Sequence, residues 1–447
     1  MACRMLCALA LACVALAGAA DGLSLGADCA RAKPTLFLMS GAWRIGGSQM
    51  SGSSDGSGGV CPPLNSTVVW WLNSSGTQLW PDEGLPGKQA LYYALLVKHL
   101  TTQHGYVMGK DFHVIPYDWR VGIQGLKQAR RRAPRAAPHR AAPDAGRGAR
   151  PPAGRDRRGG GMDRIAQRVA DGVAGNCGAK AVLITHSFGA NIMAHMLHKP
   201  ELKAWREANV RGWVPVGGPF GGTGATTWMS VLCGDFFKLF PILSNLLRPA
   251  VGAKFPITVI GKSVYTFAFG LPSWTFMFPR AATLGADHVV VSTPTRNFTV
   301  AEQKELLLTT GNKAGAELLE QSWAMNDAAM AAGPVPGVET FCLYSTAVPT
   351  PKTLVFNQSV PERFVMHRPY KIDTTPGDGV VDLASLRLCS KFAPPENMVE
   401  VDGPLVDHST ILSHPLGLDG LSSILGRLGA PARGPILFNF LPGRLGR

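Results

Sequence analysis

Ser187 lies in Val182-Leu183-Ile184-Thr185-His186-Ser187-Phe188-Gly189-Ala190-Asn191-Ile192-Met193, a short apolar run that stops at a serine and continues into helix-compatible sequence. That order describes a strand turning sharply into a helix, which lifts a serine hydroxyl above the end of a sheet as a nucleophile. The N–H of the next residue, Phe188, is then left to stabilise an oxyanion. The usual pattern is G-x-S-x-G, and Thr185 stands in place of its first glycine, a branched residue at a crowded position. A serine nucleophile needs a base, and the base needs an acid to orient it. In parallel-sheet hydrolases the three follow in chain order as Ser, Asp or Glu, then His. Downstream, Gly377-Asp378-Gly379-Val380-Val381 sets a carboxylate in a glycine-framed turn, with Asp373 and Asp382 as alternatives that spacing alone leaves near parity. Val406-Asp407-His408-Ser409-Thr410 offers the histidine, and His414 is its nearest rival. The chemistry such a set performs is acyl transfer through a covalent acyl-serine.

These groups need a scaffold, and the chain shows a recurring strand-then-helix order. Short apolar strands are predicted over 35–39, 113–116, 182–185, 212–216 and 339–344. Strands separated by helical stretches require crossover connections, so the fold class is α/β with a mostly parallel sheet and helices on both faces. Catalytic groups gather at the carboxyl ends of such strands.

With 447 residues and 46% apolar content, the chain can bury a large core. One hydrolase domain is predicted over 30–430, followed by a tail over 431–447. The formal net charge of +14 is misleading as a guide to partners. Residues 127–160 hold eleven Lys/Arg against two Asp, a surplus of nine, leaving about +5 for everything else. That Arg/Pro/Ala/Gly-rich insert carries no apolar periodicity and is expected to be disordered. No nucleic-acid partner is expected.

Residues 1–20 read as an export signal, with Arg4, an apolar stretch and a small-residue cleavage site. Cys29, Cys61, Cys177, Cys233, Cys342 and Cys389 then remain, an even number that suits disulfides in an oxidising compartment. Sequons at Asn65, Asn73, Asn297 and Asn357 fit the same route. His195 and His198 share a helix face, but no further ligands accompany them and no metal site is expected.

Further motifs occur in a telling order. They are Tyr117-Asp118-Trp119-Arg120, the serine turn, Gly218-Pro219-Phe220-Gly221-Gly222-Thr223, Met277-Phe278-Pro279 and Val291-Ser292-Thr293-Pro294. Pro336-Gly337-Val338-Glu339 and Phe341-Cys342-Leu343-Tyr344-Ser345 follow, leading to Pro349-Thr350-Pro351. Through these, from about Pro34 to His408, the chain resembles the lecithin:cholesterol acyltransferase family, which includes lysosomal phospholipase and the phospholipid:diacylglycerol acyltransferases.

The resemblance implies an α/β-hydrolase fold with Ser187, Asp378 and His408 as catalytic triad. It implies Ala42 as a second oxyanion N–H donor beside Phe188, although Ser40-Gly41 replaces the family's Pro-Gly entry. A Cys342–Cys389 disulfide is implied, and Cys61 matches the first half of another. Trp70, Trp71 and Trp80 fall in an interfacial excursion over 48–85, where tryptophan suits the boundary between acyl chains and water. A lid or cap region is expected over 222–290, with aromatic residues from Phe236 to Trp274.

The implied function is an O-acyltransferase or phospholipase A. It would move a fatty acyl group from phospholipid, through acyl-serine, to a sterol, diacylglycerol or water. The alternatives are a lumenal esterase on small soluble esters and a non-catalytic lipid-binding protein. The expected partners are a phospholipid membrane or lipoprotein surface and the lipid acceptor. No cofactor is required, and the location expected is the secretory pathway, secreted or lumenal.

Overall fold

The computed structural model describes residues 32–39, 91–115, 117, 122–127, 161–224, 272–309, 313–357, 370–403 and 405–430. The predicted signal, Ala42, Trp70, Trp71, Trp80, Cys29, Cys61, Cys233, the insert beyond Lys127, most of the lid region and the 431–447 tail lie outside the described residues.

Among the described residues the main sheet has seven strands. They are β1 (Thr35–Met39), β2 (Phe112–Ile115), β3 (Ala181–His186), β4 (Val210–Val216), β7 (Glu339–Thr340), β8 (Cys342–Ser345) and β13 (Met398–Val401). The order is β13-β8-β4-β3-β1-β2, with β7 also on β4, and every pairing is parallel. A parallel sheet must be covered on both sides, and side-chain alternation does this. Phe37, Met39 and Leu183 point into one apolar core, and Leu36, Leu38, Val182 and Ile184 into the other.

The first face is covered by α2 (Gly161–Gly175), α3 (Phe188–Leu197) and α4 (Lys313–Ala331), and the opposite face by α1 (Leu91–Gln103) and α6 (Pro415–Arg427). Their sequences explain this. In α2, Ile165, Val169, Gly172 and Val173 recur on one side and are buried, while the residues between them are mainly polar and exposed. His414 caps α6, its Nδ1 accepting from Leu416 N, and Pro415 takes the first helical position. Leu418, Leu421, Ile424 and Leu425 then face the sheet.

One expectation is corrected. The predicted strand over 339–344 is two strands, β7 laddered on β4 and β8 laddered on β13, with Phe341 between them donating its N–H to the Trp213 carbonyl at 2.9 Å. A second sheet was not foreseen. It runs β11 (Lys371–Thr375), β10 (Thr350–Val355), β5 (Val289–Ser292), β6 (Asn297–Thr299), with two antiparallel pairings and one parallel. Its strands are three to six residues long and lack clean alternation, so they leave little periodic signal. Beside it a two-stranded piece pairs β9 (Ala347–Val348) with β12 (Gly377–Asp378). Trp274, read above with the lid, is buried in the first core together with Phe276 and Phe278.

Cys342 and Cys389 form a disulfide, joining β8 to the short 3-10 turn Leu388–Lys391. Cys177 is also disulfide-bonded. No helix among the described residues is long and apolar enough to cross a membrane.

One buried polar chain ties α1 to α6. His104 Nδ1 donates to Ala430 O at 2.9 Å, so its Nε2 accepts from the Ser422 hydroxyl at 2.9 Å, and His99 Nε2 donates to that same oxygen at 2.6 Å. His104 is neutral in this arrangement. Burial, and then the neighbouring His104, push the His99 pKa down to about 4, and burial also lowers that of His104. The unfolded chain takes these protons near pH 6.5 and the folded chain does not. Stability therefore falls as pH drops from about 6.5 toward 4. His99→Gln keeps a donor without the titration, so its melting temperature should decline by a few degrees less than the wild type's between pH 7 and 4.5. Equal slopes in calorimetry would refute the assignment.

Candidate active site

Ser187 sits where β3 ends and α3 begins, with φ 55° and ψ −131°. A non-glycine residue in that half of the map is strained by about 1–3 kcal/mol and persists when its surroundings hold it. They do. Ser187 N donates to Val216 O at 2.9 Å, its carbonyl accepts from Ala190 N at 2.9 Å, and the side chain makes no capping bond to the helix. Phe188 opens α3, where a backbone N–H has no carbonyl one turn earlier to bond. Thr185 is accommodated by pairing: buried on β3, its Oγ1 accepts from Trp213 Nε1 at 2.8 Å. The missing glycine is thus replaced by a cross-strand hydrogen bond.

Asp378 and His408 meet. The Nδ1–H of His408 donates to Asp378 Oδ2 at 2.7 Å, and both residues are buried. The other carboxylate oxygen, Oδ1, accepts from Val380 N at 3.0 Å and Val381 N at 2.7 Å, so the turn around Gly379 fixes which oxygen faces the ring. With its proton on Nδ1, neutral His408 carries a lone pair on Nε2, the form a general base requires.

The ring's own loop is held by Asp407. Its Oδ1 accepts from Ser409 N and Thr410 N at 2.8 and 2.7 Å, and His408 N donates to Asp378 O at 2.7 Å. The glycine-rich loop after β4 lies against the pair. A Cβ on Gly217, where φ is +57°, would stand 3.1 Å from His408 Nδ1 and 3.3 Å from Asp378 Oδ2. Gly221 N donates to Ser385 Oγ at 2.9 Å, and Asn191 of α3 donates to Pro219 O at 3.1 Å.

The rivals are occupied elsewhere. Asp382 caps the helix α5 (Leu383–Arg387), accepting from Ser385 N at 2.9 Å, and burial raises its carboxyl pKa to about 6. Asp373 pairs with Lys371 at 2.6 Å on β11, and His414 caps α6. His198 turns both ring nitrogens toward main-chain carbonyls, Ala194 O at 2.7 Å and Gly333 O at 2.9 Å.

Two residues of this site escaped the sequence reading. Gly217 had a signal, since paired glycines directly after a strand mark close approach of the backbone to something. His186 had none. Its Nε2 donates to the carbonyl of His408, 222 positions along the chain, at 2.8 Å.

Residues 165–312 match the family described as Lecithin:cholesterol acyltransferase, a stretch that includes Ser187 and ends before Asp378. Over this stretch the chain is similar to the lecithin:cholesterol acyltransferase family. It is 25% identical over 353 residues to a phosphatidylcholine-sterol acyltransferase from Homo sapiens, covering 78% of this chain and 65% of that protein. It is 26% identical over 307 residues to a lysosomal phospholipase A and acyltransferase from Bos taurus, covering 68% of this chain and 60% of that one. The human protein of the latter name is 28% identical over 215 residues, 48% of this chain and 45% of its own. The chain spans about three-fifths of the length of the first curated relatives it matches.

Proposed function

We propose that the protein is a serine-dependent lipid acyltransferase with phospholipase A activity. The observation that carries the reading is the His408–Asp378 contact at 2.7 Å, on a loop bonded through His186 to the strand end that presents Ser187. Ser187 attacks an acyl ester carbonyl of a phospholipid as His408 Nε2 takes its proton, and Asp378 holds the imidazole and stabilises its charge. The Phe188 N–H, with that of Ala42, stabilises the tetrahedral oxyanion. The same imidazole then gives its proton to the leaving lysophospholipid, whose departure leaves an acyl-serine. Deacylation by water yields a free fatty acid, and deacylation by a sterol or diacylglycerol hydroxyl yields a new ester.

The relatives' names support both outcomes, one specifying a sterol acceptor and the other a phospholipase that also transfers acyl groups. Trp70, Trp71 and Trp80 supply the contact with a membrane or lipoprotein surface, and the compartment is secretory or lumenal. The test is incubation of the protein with phosphatidylcholine vesicles, alone and with sterol or diacylglycerol, followed by identification of the acylated products. Fatty acid in the first case and acylated acceptor in the second are expected. Turnover of water-soluble esters with none of vesicles would instead mark a small-ester esterase. A Ser187 that fluorophosphonate never labels in folded protein would mark a non-catalytic carrier.

A further inference from the structure

We infer that His186 is a positioning residue for the base, holding the main chain of His408 where its imidazole serves Ser187. The inference rests on the catalytic reading of Ser187, Asp378 and His408 given above. A carbonyl oxygen only accepts, so the nitrogen 2.8 Å from it, His186 Nε2, carries a proton and donates. The two rings lie 4.9 Å apart, tilted by 36°, and His186 is only 3% exposed. A buried bond of this kind has no water to replace it.

Position in the chain gives the contact its meaning. His186 is the last residue of β3 and the immediate neighbour of Ser187, whose own N–H is tied to Val216 O. One strand end therefore fixes the backbone of the serine and, through a single ring, the backbone of the histidine. The base is clamped at three points: its N–H on Asp378 O, its Nδ1–H on Asp378 Oδ2, and its carbonyl on His186. Both contacts to Asp378 belong to the acid's turn. The His186 bond references the base directly to the nucleophile's strand. Without it, the His408–Asp378 unit remains intact and can drift as a body relative to Ser187, and a displacement near 1 Å costs about 100-fold in rate.

The experiment compares His186→Phe, which keeps a buried ring and loses the donor, with His186→Gln, whose amide reaches the place of Nε2. Vesicle hydrolysis and the rate of fluorophosphonate labelling are measured for each, beside wild type and Ser187→Ala. His186→Phe should lose about 10- to 100-fold in kcat and in labelling rate with KM nearly unchanged, since no substrate contact is removed. His186→Gln should recover most of that loss.

Should His186→Phe fail to fold, His186→Asn takes its place, because the shorter amide reaches only the position of Nδ1 and should stay impaired while His186→Gln is active. A donorless variant with wild-type kcat overturns the inference. So does equal loss in His186→Gln and the donorless variant accompanied by a matching fall in melting temperature, which assigns the ring to packing. Absence of Ser187 labelling in the wild type would instead overturn the catalytic reading itself.

Discussion

Ser187→Ala should end turnover of phospholipid vesicles, with kcat lower by about six orders of magnitude, and should abolish fluorophosphonate labelling. The residue is embedded by its backbone, not its hydroxyl: its N–H bonds Val216 O, its carbonyl bonds Ala190 N, and the side chain caps nothing. Alanine meets the same backbone strain as serine at φ 55°. The variant should therefore melt with the wild type, and activity and stability separate cleanly. Hydrolysis surviving in Ser187→Ala would place the chemistry elsewhere.

Asp378→Asn should lower kcat about 10⁴-fold with the fold intact. The turn dictates the outcome, because Val380 N and Val381 N both donate to Oδ1 and would keep an oxygen there. The new amide nitrogen must then face His408. A donor on that side forces the imidazole to leave Nδ1 bare and to carry its proton on Nε2, so it can no longer accept the serine proton. Asp382→Asn and Asp373→Asn provide the contrast. Neither carboxylate touches His408, since one caps a helix and the other pairs with Lys371, and both variants should keep kcat within a few-fold of wild type. Steady-state kinetics on the three variants decide among the acids, and a severe loss in Asp382→Asn with an unimpaired Asp378→Asn would reverse the assignment.

The serine turn was legible because its signal is local. An apolar run, a serine and a helical run occupy twelve consecutive residues, and the parallel strands around it announce themselves by buried apolar sequence. The carboxylate that meets His408 was not legible in the same way. Asp373, Asp378 and Asp382 lie within ten residues, and spacing leaves them level; what separates them is which carboxylate oxygen is engaged by which N–H, a three-dimensional fact. Thr185 looked like a fault in the motif because its partner, Trp213, sits 28 residues away on the next strand. The second sheet was missed since its strands are short and half-exposed, and their order is set by pairing across distant segments. His186 stayed hidden for the most basic reason. A main-chain carbonyl is common to every residue, so no side-chain pattern could advertise that this one was a target.

The serine's unusual backbone angles carry an evolutionary corollary. Position 187 favours glycine on conformational grounds alone, so selection for a catalytic hydroxyl would have to hold serine there against that preference. A descendant released from that selection would gain by substituting glycine, and the change would register as greater thermal tolerance in a silent paralogue.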